Sequence, residues 1–90
     1  MGFAKSELLI LNILAGRGPC YGLELVDASD GQLKRGGIYV TLGRMEEKGL
    51  VTSAASGDDG RRRYKPTALG ERALLAARAF AGEIQLEVKA

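Results

Sequence analysis

Arg61, Arg63 and Lys65 alternate with Arg62 and Tyr64. In an extended strand every second side chain shares a face, so this spacing lines one side with three cations. A row of fixed cations is suited to attracting a polyanion and meeting phosphate oxygens. The wider charge distribution agrees. The 90 residues hold 13 Lys and Arg against 11 Asp and Glu, a net charge of only +2. Residues 1–30 carry −2, residues 31–66 carry +4 and residues 67–90 carry zero. On charge alone, the basic middle third reads either as a polyanion-binding surface or as a chance cluster.

Catalytic chemistry finds less support. The chain has no histidine and Cys20 is its single cysteine, which removes His/Cys zinc sites, an internal disulfide and histidine-based triads. Carboxylates, lysine or tyrosine could still move protons. The acidic pairs, however, are the neighbours Glu46-Glu47 and Asp58-Asp59, which suit a solvated face better than a shared site. The expectation is a non-enzyme with no metal and no cofactor. Gly57-Asp58-Asp59-Gly60 reads as a turn, and Cys20 as a small buried hydrophobe, with a redox switch as the alternative.

The elements that must position the basic residues can be read in order. Lys5 to Ala15 is rich in leucine and helix formers and stops at Gly16-Arg17-Gly18-Pro19. Ala4, Leu8, Leu11 and Ala15 fall on its stripe, widened by Ile10, Ile13 and Leu14. Cys20 to Ser29 is a second helix with Pro19 in its first turn, closed by Asp30-Gly31. A basic connector, Gln32 to Gly37, leads to a third helix, Ile38 to Lys48. Ile38, Leu42 and Met45 form its buried stripe, and Gly49 stops it. Leu50 to Ala55 and Arg61 to Lys65 pair as a two-stranded ribbon that Pro66 ends. Thr67 caps a last helix running toward Val88, striped by Leu69, Ala73, Ala76 or Ala77, Phe80, Ile84 and Val88. That helix outruns the small body before it, and a second copy could cover the remainder.

With 46% apolar and 27% charged residues the composition is globular. The longest apolar stretch, Leu8 to Leu14, is broken by Asn12 and falls short of the roughly 20 residues of a membrane span. Met1-Gly2-Phe3-Ala4 shows no secretory signal, so the expected location is the cytoplasm. A chain this small buries only about 60–65% of its unfolded surface, another reason to expect a homodimer.

Three helices, a basic ribbon and a long apolar helix make a winged helix-turn-helix plan: mainly α with a small β-ribbon. We divide it into a DNA-binding unit over 1–66 and a dimerisation helix over 67–90. A helix fits the major groove of double-stranded DNA, the ribbon reaches flanking phosphates, and a two-fold dimer matches a palindromic operator.

Three segments carry a family resemblance. They are Leu8 to Leu14 followed by Gly18-Pro19-Cys20-Tyr21-Gly22-Leu23-Glu24-Leu25, then Gly37 to Val51, then Arg61 to Gly70. In this order and spacing they resemble the PadR-like transcriptional regulators over about residues 7 to 80. The resemblance implies a cytoplasmic, dimeric, ligand-responsive repressor. It implies that the helix bearing Tyr39 enters the major groove, that the wing from Arg61 to Lys65 touches the backbone, and that the last helix pairs two subunits. Val40 stands where the family usually has proline, and Gly43 where it often has a basic residue. No tryptophan is present, although some small members use one at the dimer interface. Ending at Ala90, the chain resembles the short branch of the family.

The candidate DNA-binding residues are therefore Lys34, Gly37, Tyr39, Val40, Thr41, Arg44, Arg61 and Arg63. Alternative readings have Tyr39 packed against the connector and Arg44 paired with Asp59. Gly36-Gly37 could place a DNA phosphate at the third helix's N-terminus. The candidate dimerisation residues are Leu69, Ala73, Ala77, Phe80, Ile84 and Val88. The stripe around Phe80 could instead line a pocket, and a small apolar or aromatic effector is the ligand the resemblance implies. The competing function is a winged-helix module that binds another protein without specific DNA binding.

Overall fold

A computed structural model describes the backbone of residues 3–89 and the side chains of residues 3–80. Its elements are α1 (Lys5–Arg17), β1 (Cys20–Tyr21), α2 (Gly22–Ala28), α3 (Ile38–Glu47), β2 (Val51–Ala55), β3 (Arg62–Pro66) and α4 (Ala68–Lys89). The winged helix-turn-helix plan holds, with one correction to the ribbon. The sheet has three antiparallel strands in the order β1-β3-β2.

Cys20 and Tyr21, expected to open the second helix, are instead the extra strand. Cys20 lies opposite Tyr64 and Tyr21 opposite Arg63. The helix starts only at Gly22 because Tyr21 is extended and its N–H donates to the Glu24 carboxylate at 2.7 Å. A glutamate three residues into a helix that reaches back to the N-cap amide is half of a capping box. The same device starts α1, where Ala4 N donates to Glu7 Oε1 at 3.0 Å. Helix α1 also runs two residues beyond the expected end. The wing hairpin pairs Val51 with Pro66 through Ala55 with Arg62, so Pro66 closes β3 rather than lying beyond it. Proline is tolerated at this strand end because the sheet needs no further donor there.

The core gathers Ile10, Leu11 and Leu14 of α1, Leu25 of α2, and Ile38, Leu42 and Met45 of α3, with Leu50, Val51 and Tyr64 from the wing's base. The α1 stripe is rotated from the expected one: Ala4 and Ala15 are exposed, and Glu7 takes the inward place. Glu7 is 3% exposed and meets Lys48 Nζ at 2.7 Å. Burial pushes this carboxyl up, but hydrogen bonds from Lys48 and the Ala4 amide, with the Lys48 charge, hold it below the ordinary value. Lys48 thus ties the end of α3 to the start of α1. Gly49, at φ 79°, turns the chain from α3 into β2 in the left-handed conformation expected of a residue after a helix.

Helix α4 packs on this body through Gly70, Ala73 and Leu74, all buried. Ala73, expected in a dimer stripe, is 7% exposed and belongs to the core of its own chain. A repeat of three to four residues gives the width of an apolar band but not which part faces home. Leu69 and Phe80 are 47% and 65% exposed. They lie eleven residues apart, within about 20° on the helix. Ala77 is half-buried. Ile84 and Val88 lie outside the residues whose side chains are described. Arg78 Nη2 donates to Asn12 Oδ1, a second tie from α4 to α1.

Candidate nucleic-acid interface

Helix α3 is anchored from behind by Ile38, Leu42 and Met45, so its opposite face must point outward. That face carries Tyr39, 55% exposed, and Val40, 58% exposed, with Arg44 one turn on. Gly43 lies among them with nothing within 4 Å of the place its Cβ would take. Gly37 is the N-cap residue, and the preceding connector presents Lys34 to solvent. Thr41 is half-buried, and its hydroxyl is engaged, donating to Gly37 O at 3.1 Å.

The wing stands beside α3. Its inward residue is Tyr64, whose phenol is pushed up by burial and by the nearby Glu46 charge. Arg61 and Arg63 come to one side, as their alternation predicts, and share one ring: their guanidinium carbons lie 4.2 and 4.9 Å from the Tyr21 centroid. Tyr21 is the platform for the wing, because β1 pairs with β3 and its hydroxyl donates to Ser56 Oγ at 3.2 Å. The Ser56 hydroxyl, which can turn to donate to the ionised oxygen, and the charges of Arg63 and Arg61 hold the Tyr21 phenol below the ordinary value. Stacking engages the guanidinium faces, and both arginines stay exposed. Arg61 also meets Asp59 at 2.6 Å. The expected alternative partner of Arg44, Asp59, is therefore taken by Arg61. Arg62 points the other way, with Nε 2.9 Å from Ser53 Oγ.

Between α2, the start of α3 and the wing runs an open groove of about 500 Å³. All three tyrosines line it, with Arg61, Arg62 and Glu24. Sequence reasoning missed one contributor to this surface, Tyr21, because a two-residue strand has no periodicity to read. The arrangement offers a rigid convex helix face, exposed cations on one flank and phenol and guanidinium donors converging beside it. It provides for docking and hydrogen bonding. Among the described residues no cluster of His, Cys, Asp and Glu could hold a metal ion, and no helix is long and apolar enough to cross a membrane.

Residues 10–76 match the model of the transcriptional regulator PadR-like family. Among solved structures, a PadR family transcription regulator from hypervirulent Clostridium difficile R20291 aligns with a TM-score of 0.76 and 28% identity, over 97% of this chain and 100% of its own. A probable transcriptional regulator from Pseudomonas aeruginosa aligns at 0.80 and 26% identity, over 96% of this chain and 64% of its own. The PcaV transcriptional regulator from Streptomyces coelicolor, in complex with its natural ligand, aligns at 0.76 with 20% identity over 94% of this chain and 62% of its own, a likeness of fold alone. This chain therefore spans 64% of the Pseudomonas protein's length. No curated protein matches it.

Proposed function

The chain belongs to the PadR-like family of transcriptional regulators, and on that premise we propose that it binds double-stranded DNA sequence-specifically as a cytoplasmic homodimeric repressor. The observation that carries this reading is one surface on which α3 exposes Tyr39, Val40 and Arg44 beside the stacked wing arginines Arg61 and Arg63. In the proposed complex α3 lies in the major groove, where base edges differ, and Arg61, Arg63 and Lys34 meet phosphates. Two copies join along α4, with Leu69 and Phe80 at the interface and Ala77, Ile84 and Val88 extending it. They place their heads on a palindromic operator. A small apolar or aromatic effector changes that placement.

The test is fluorescence anisotropy on DNA from upstream of the protein's own gene, at several salt concentrations, with random duplex as competitor. The proposal expects tight, competitor-resistant binding whose logarithm falls linearly with log salt. Arg61→Ala with Arg63→Ala should flatten that slope by about two per subunit. Absence of duplex binding even at low salt would overturn the proposal and favour a protein partner for the same surface.

A further inference from the structure

We infer that Gly22 sets the pose of Tyr39 and is thereby a positioning residue for DNA recognition. This rests on the reading of Tyr39 as a DNA contact. A Cβ at Gly22 would lie 2.7 Å from Tyr39 Cε1, 2.9 Å from Cζ and 3.1 Å from Oη. The outer edge of the phenol, hydroxyl included, thus rests on the first turn of α2, in space that any other side chain would claim. Neither backbone can retreat easily. Gly22 follows Tyr21, which is held by the β1–β3 ladder and by the Glu24 carboxylate. Tyr39 follows Ile38, which is buried in the core. What can move is the Tyr39 side chain, which is more than half exposed and swings about χ1. A methyl group at position 22 would therefore turn the ring off its seat.

The rest of the fold has little reason to object. The backbone at Gly22 is not in the left-handed region, so alanine adopts it freely and favours the helix more than glycine does. A residue needed only for folding would lose stability on substitution. A residue needed for aim would keep stability and lose binding.

The test is a double-mutant cycle of the parent, Gly22→Ala, Tyr39→Ala and the pair. Each is titrated onto a labelled duplex of about 30 base pairs from upstream of the gene, long enough for two half-sites a turn apart. Each is also melted without DNA. Tyr39→Ala should weaken binding about tenfold per half-site, the scale of one hydrogen bond to a charged group. Gly22→Ala should weaken it severalfold in the parent, add nothing in the Tyr39→Ala background, and melt at or above the parent temperature. Fluorotyrosine labelling checks the pose directly. The chain has three tyrosines, and Gly22→Ala should shift the Tyr39 resonance most.

If Tyr39→Ala leaves binding unchanged, the contact reading of Tyr39 fails and the inference falls with it. If Tyr39→Ala weakens binding, three results overturn the inference alone. These are Gly22→Ala binding like the parent, its penalty persisting without Tyr39, or the Tyr39 resonance staying in place.

Discussion

Gly70→Ala should cost this protein stability although alanine is the better helix former. Gly70 lies in the first turn of α4, where Thr67 caps the helix by accepting the Gly70 N–H at 3.0 Å. A Cβ there would stand 2.1 Å from Leu50 O and 3.1 Å from both Leu50 C and Leu11 Cδ2. Ordinary contact begins near 3.4 Å, so the Leu50 carbonyl or α4 must retreat by more than an ångström. That carbonyl already accepts the Thr67 N–H at 3.0 Å, and the retreat breaks this bond. Overpacking costs about 1–3 kcal/mol and the lost bond about 1 kcal/mol. The helix-propensity gain returns about 1 kcal/mol at most. The net is about 1–3 kcal/mol, which in a domain this size lowers the melting temperature by roughly 4–24 °C. Thermal and urea denaturation followed by circular dichroism, at one fixed protein concentration, would measure it. Gly43→Ala is the control, since its added methyl meets nothing, and it should gain up to about 1 kcal/mol. Gly70→Ala melting within about 2 °C of the parent would refute the close approach of α4 to the turn after α3.

Other substitutions probe other parts of the molecule. Asp59→Asn keeps an acceptor for the Arg61 backbone N–H and removes the carboxylate that holds its guanidinium; duplex binding should tighten and its log–log salt slope steepen by up to about 0.9 per subunit, as anisotropy titrations would show. Glu7→Gln retains an acceptor for the Ala4 amide but loses the ion pair with Lys48. Because the folded carboxyl is held below its ordinary value, its contribution is present above the unfolded value and lost as pH falls through the folded one. The variant should be about 1 kcal/mol less stable at pH 7, and the gap should narrow in urea titrations as pH falls below the unfolded carboxyl value of about 4.3. Leu69→Glu and Phe80→Glu alter exposed positions; each should leave the monomer fold intact while sedimentation shows the proposed dimer dissociating.

Much of this architecture is legible in the residues because its signals are local. The Ile38, Leu42 and Met45 stripe marks α3 and its buried side, and alternation in Arg61 to Lys65 brings Arg61 and Arg63 to one ring. The features that escape depend on distant partners. Cys20-Tyr21 becomes a strand only because β3 offers an edge more than forty residues away. Glu7 is drawn inward by Lys48 at the far end of the helix-turn-helix, whereas its own helix pattern gives a charged residue no reason to be buried. Ala73 and Phe80 share an apolar band, and only the body of the protein decides that one faces in and the other out. The Tyr39 seat needs an empty position on α2 to be recognised at all.

The ties of α4 to the body, from Gly70 against Leu50 to Arg78 on Asn12, give the end of the long helix the character of a lever. Its arm runs from Arg78 to Lys89, 11 residues beyond the last tie, or about 17 Å at 1.5 Å per residue. One degree of rotation displaces the far end by about 0.3 Å. In the proposed dimer, with the two arms clasped, the displacement is returned to the heads. Ten degrees then amount to about 3 Å, a quarter of the width of a major groove. An effector that shifts the clasp slightly could move two rigid heads out of step with successive grooves, without deforming either one.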